Sequence, residues 1–154
     1  MKQFFSGLFF AFLLVSGNFM FSGCVKNGTT RTVDAYMTAS IGTTTFSAAD
    51  VSAATVNPQA VDTGTTIVIK GYLPNDNQEI ILTISKYNQS EQGTYSIVQG
   101  QATAQYIHGT TSVASGGVVA ISKITSNSIS GYFSFNTFDG YNVLSGTYCV
   151  AKPY

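Results

Sequence analysis

The run Ile129-Ser130-Gly131-Tyr132-Phe133-Ser134-Phe135 decides the fold. Ile129, Gly131, Phe133 and Phe135 alternate with Ser130, Tyr132 and Ser134. A period of two residues places the large apolar groups on one side of an extended chain, whereas a helix would scatter them. Such alternation marks a strand with one dry face and one wet face. Just beyond it, Asp139-Gly140 has the backbone freedom of a tight hairpin, and Asn142 to Val150 returns as the partner strand.

The same pattern extends toward the N-terminus. Gly117 to Ile124 carries Val119 and Ile121 on one face, and Asn127 begins the turn that follows. Ala102 to His108 and the short Gly93 to Val98 precede it, with Ser112 to Gly117 reading as a loop. In Glu79 to Tyr87, Ile80, Leu82 and Ile84 oppose Ile81, Thr83 and Ser85; in Thr65 to Tyr72, Ile67, Ile69 and Gly71 oppose Thr66 and Lys70. Leu73-Pro74-Asn75-Asp76-Asn77 between them has turn chemistry. Ala35 to Ile41 and Thr44 to Ala48 read as a hairpin around Gly42. From Ser47 to Thr55, Ser47 and Asp50 could cap a turn or two of helix before Val51, Ala53 and Ala54. The prediction is an all-β domain: an antiparallel β-sandwich or flattened barrel of about eight to nine short strands, with at most one short helix.

Composition agrees and narrows the function. The chain has 154 residues, with Lys+Arg 7 against Asp+Glu 7 and only 9% charged residues. That balance excludes a nucleic-acid partner, which needs a basic excess. Seven of the 11 Phe lie before residue 24, in an apolar run from Phe4 to Phe21 behind Lys2. A basic start followed by an apolar run marks a secretory leader. Ser6, Gly7, Ser16, Gly17 and Asn18 interrupt the run, which suits a leader better than a spanning helix of about 20 apolar residues. From Cys24 onward, 19 Thr and 14 Ser suit half-buried strands and turns.

Phe21-Ser22-Gly23-Cys24 resembles the lipobox of bacterial lipoproteins, with Phe21 where Leu is usual. The resemblance implies a diacylglycerol thioether on Cys24, cleavage before it and acylation of the new amine. Residues 1–23 are then a signal peptide, 24–34 a lipidated tether and 35–154 the β domain. Cys149 is left without a disulfide partner and reads as a small buried hydrophobe. In the Bacteroidota lipoproteins that this chain resembles, an acidic cluster soon after the Cys often directs export to the cell surface; no acidic residue precedes Asp34, so the resemblance implies the periplasmic side of the outer membrane.

The order of the β segments also resembles a family of small Bacteroidota lipoproteins carrying an uncharacterised β-rich domain. It runs from Ala39-Ser40-Ile41-Gly42 through Ile67-Val68-Ile69-Lys70-Gly71 and Gly93-Thr94-Tyr95 to Val143-Leu144-Ser145-Gly146-Thr147-Tyr148. The family brings no catalytic residues to carry over.

The residues themselves offer little chemistry. His108 is the only histidine, so no multi-histidine metal site can form. Asn75-Asp76-Asn77-Gln78-Glu79 is too short for a calcium loop of about 12 residues and reads as a polar turn. No cofactor and no metal are expected. The most aromatic loop, Asn136-Thr137-Phe138-Asp139-Gly140-Tyr141, makes Phe138 and Tyr141 the candidate ligand-binding residues. The reading is a non-catalytic envelope module anchored to the membrane through Cys24, with an unknown envelope protein or glycan as partner. A hydrolase with an unrecognised carboxylate site, or a purely structural envelope or adhesin component, is the alternative.

Overall fold

The computed structural model describes residues 34–49, 59–62, 66–85 and 92–151. The described residues form ten strands and no helix: β1 (Tyr36–Ile41), β2 (Thr44–Ala49), β3 (Gln59–Asp62), β4 (Thr66–Leu73), β5 (Gln78–Ser85), β6 (Gly93–Ser96), β7 (Ala102–His108), β8 (Thr110–Ile124), β9 (Ser128–Thr137) and β10 (Asn142–Ala151). Nine follow one another side by side in the order β2-β1-β10-β9-β8-β7-β5-β4-β3, and β6 pairs with β8 off that path. Every pairing is antiparallel. The sheet curls into a half-barrel, the all-β antiparallel architecture that the alternation predicts.

The inward face carries the expected residues. Ile67 and Ile69 of β4, Ile80, Leu82 and Ile84 of β5, Val119 of β8 and Ile129 of β9 have no exposed surface. Each such side chain contributes roughly 1.5–3 kcal/mol by leaving water. The two limbs of the curl meet through Gly71 of β4. A Cβ there would lie 2.8 Å from the Met37 sulfur and 3.3 Å from Phe46 Cε1, so β4 packs directly on β1 and β2.

The pivot of the curl is β8. Thr110 to Val113 pair with β7, while Val118 to Ile121, on the same side, pair with β6. Between them the register with β9 shifts at Ala114/Gly116, and Gly117 adopts φ +131°, a conformation that glycine tolerates and other residues rarely adopt. The loop expected at Ser112 to Gly117 is therefore strand. Its small residues lack a bulky apolar pattern, but Ser112 and Ala114 still face inward. Both sides of the ladder satisfy its backbone.

Other corrections are local. The helix suggested from Ser47 begins inside β2, where Ser47 pairs with Thr38 and Phe46 and Ala48 are buried; residues 50–55 lie outside the described residues. Burial of Phe46 outweighs a capping signal worth about 1 kcal/mol. Strand β3 was not anticipated, because four residues, Gln59–Asp62, show too little periodicity. The leader, Cys24 and the tether up to residue 33 also fall outside the described residues. Cys149 is buried as expected, but its sulfur is disulfide-bonded rather than a lone thiol.

Candidate functional site

At one rim of the half-barrel the chain opens a cleft of about 460 Å³, within the range of small-ligand sites. Four separate segments build it: the β1–β2 turn, the start of β5, the end of β7 and the β9–β10 turn with the first residue of β10. Each reaches the rim for a local reason. Gly42, at φ +58°, takes the first position of a two-residue hairpin loop between Ile41 and Thr44. The Thr44 hydroxyl donates to the Ile41 carbonyl at 2.8 Å and closes that turn. Strand β7 buries the small Ala102 and Ala104 and then, next to the cleft, the large Tyr106.

Tyr106 organises the floor. Its ring lies edge-on to Tyr141 at 5.1 Å and tilted to His108 at 6.2 Å. Its hydroxyl donates to Gln78 Oε1 at 3.0 Å. Burial pushes the phenol above its ordinary range, and neighbouring Tyr141 and Asp76 push it the same way. The phenol therefore stays protonated and keeps its role as donor.

The β9–β10 turn is held rigidly. Thr137 receives the Tyr141 amide on its Oγ1 at 2.9 Å, and its own amide donates to the Tyr141 carbonyl at 2.9 Å. The Phe138 amide reaches the Val113 carbonyl of β8 at 3.1 Å. Below the turn, buried Ser112 donates to Asp139 Oδ2 at 2.6 Å. That bond, then one from Thr137, holds the Asp139 carboxyl below its ordinary range. A depressed carboxyl contributes stability above its unfolded-state pKa and loses it as pH falls through the folded value. Replacing Ser112 with Ala should therefore move the Asp139 carboxyl titration, followed by carbon NMR, upward toward an ordinary aspartate. An unchanged midpoint would refute the role given to Ser112.

The structure separates the two aromatic candidates of this turn. Tyr141 lines the cleft and is 38% exposed; Phe138 is 80% exposed and is not among the cleft-lining residues. Gln78 and the Gly42–Thr44 turn join the site without any signal in the sequence: pairing of β1 with β10 sets the turn beside Asn142, and the curl of the sheet brings Gln78 and Tyr106 across to Tyr141. His108, read as a strand-end residue, sits at the end of β7 and also lines the cleft. Among the described residues no group of three His, Cys, Asp or Glu side chains could hold a metal ion.

Fold and rim together define a class: a curled antiparallel β domain with an aromatic-floored cleft at one end. Residues 33–148 match the family described as a domain of unknown function, DUF6252, and the chain belongs to that family. No curated protein and no solved structure matches the chain.

Proposed function

We propose that the protein is a lipid-anchored, non-catalytic binding module of the bacterial cell envelope. Acyl chains on Cys24 hold it to the outer membrane, on the periplasmic side, and the rim cleft meets a ligand or partner; Cys24 is the chain's only other cysteine, so this reading assigns the disulfide at Cys149 to the chain before Cys24 is acylated. The observation that carries the anchor is Phe21-Ser22-Gly23-Cys24 directly behind the apolar run from Phe4. One acyl chain binds a membrane only marginally, whereas two or more, at about 0.8 kcal/mol per buried CH₂, hold a protein there stably. The non-catalytic reading is supported by the described residues that line the cleft, where His108 is accompanied by no carboxylate, lysine, arginine, serine or cysteine.

Fractionation and intact-mass spectrometry of protein made in a bacterial host test the anchor. The wild type should pellet with membranes and begin at an acylated Cys24. The Cys24→Ala form should be released or retain residues 1–23. A bare terminus on the wild type, a mature Cys24 sulfur found in a disulfide, or a Cys24→Ala form that has lost residues 1–23 and still partitions with membranes would overturn the proposal.

A further inference from the structure

We infer that the rim cleft binds a small neutral saccharide, stacked on Tyr141. This rests on the binding-module reading above and names the ligand class of that same cleft. Charge decides first. Among the described residues that line the cleft there is no Lys, Arg, Asp or Glu. The charge that does act at the floor is Asp76, close enough to push the Tyr106 phenol upward. A phosphate or carboxylate ligand would enter that negative potential with no lysine or arginine to meet it and only the single imidazole of His108 as a basic group. A cation would find no carboxylate lining the cleft to hold it.

The polar groups lining the cleft include the amides of Gln78 and Asn142, the hydroxyls of Thr43, Thr44 and Tyr106, and the imidazole of His108. Amides offer donors and acceptors together, which suits vicinal sugar hydroxyls that also do both. The Gln78 Oε1 accepts from Tyr106, and this fixes the amide's orientation. Tyr141, part-exposed and held edge-on by Tyr106, offers its ring as an apolar platform for the C–H face of a pyranose. Gly42 and Gly140 keep the walls low, since a Cβ on either would meet nothing within 4 Å and the space beside each is open.

The test uses the full chain in detergent, titrated by calorimetry with chitotriose and with maltotriose, and with trigalacturonate as the charged comparison. Saturable binding of a neutral trisaccharide is expected. It should weaken about tenfold or more in Tyr141→Ala, and survive within about threefold in Tyr141→Phe, which keeps the ring. Thr43→Trp, which places bulk in the cleft from an exposed turn, should abolish it. Circular dichroism reports whether each variant keeps the sheet. No binding of either neutral sugar up to about 10 mM, equal binding by Thr43→Trp, or preference for trigalacturonate overturns the inference. Because the titration reads the cleft whatever Cys24 carries, its failure leaves the anchor standing, and a bare Cys24 leaves the cleft standing.

Discussion

Gly131→Val should prevent the domain from folding, or lower its melting temperature by more than about 10 °C. Gly131 lies at the centre of β9, opposite Tyr148 of β10. A Cβ there would stand 2.6 Å from the Tyr148 hydroxyl and 2.8 Å from its Cζ, and would run into the Ala120 carbonyl oxygen. Tyr148 has no way to retreat. It is fully buried, and its hydroxyl donates to that same Ala120 carbonyl at 2.9 Å. The substitution therefore combines overpacking, about 1–3 kcal/mol or more, with loss of a buried hydrogen bond, about 1–3 kcal/mol. Domains of this size hold only about 5–15 kcal/mol in total. Gly93→Ala is the control: the nearest atom to its new Cβ is 3.6 Å away, an ordinary contact, and the variant should melt close to wild type. A Gly131→Val protein with the wild-type melting curve would show that Tyr148 is free to move.

Phe133→Ala should cost about 3–5 kcal/mol in urea unfolding, the usual cost of removing a buried phenyl ring. Phe133 is 1% exposed and touches Phe135, Tyr148 and Gly146 at once. Its ring covers Gly146, where a Cβ would lie 2.6 Å from Phe133 Cδ2. Two features of β10 make room for this. The register with β9 shifts between Val143 and Gly146, and Ser145 takes φ +52°. Gly146→Ala alone should therefore be strongly destabilising, whereas in the Phe133→Ala background the same methyl enters the space left by the ring. The double mutant should be more stable than the sum of its parts by about 0.5–3 kcal/mol. Strict additivity would mean that ring and glycine do not depend on each other.

How much of this was legible depends on the length and contrast of each pattern. Strands β4, β5 and β9 announced themselves because branched or aromatic residues alternate with polar ones over six residues or more. Their inward sets, such as Ile80, Leu82 and Ile84, match the buried positions residue by residue. The first half of β8 did not, because Ser, Ala and Gly give little contrast between faces. Its inward position is set by β7 and β9, and the strand exists through those neighbours. The glycine windows at Gly131 and Gly146 were visible only as members of an alternation. That they are covered by Tyr148 and Phe133 follows from cross-strand register, which one strand's sequence does not specify. The site was legible in one segment only. The aromatic turn pointed to Tyr141, while Gln78 and Tyr106 meet by pairing of β5 with β7, Gly42 meets Asn142 by pairing of β1 with β10, and the two groups face each other only after the sheet curls. Cys149's burial could be read from its apolar neighbours; its disulfide could not.

Strand β1 has a mechanical consequence. Its first residue, Tyr36, pairs with Cys149 on one side and Ala49 on the other, while its last, Ile41, reaches the cleft. Five steps of about 3.3 Å separate the two ends by roughly 17 Å. With the polypeptide fixed upstream of Tyr36 and a ligand gripped beyond Ile41, tension between them would run along the strand axis. The rungs to β2 and β10 would then be loaded sideways and all together, in shear, instead of opening one by one like a zip. The cleft and the entry of the chain into the sheet thus lie at opposite ends of a strand that resists being pulled out from between its neighbours.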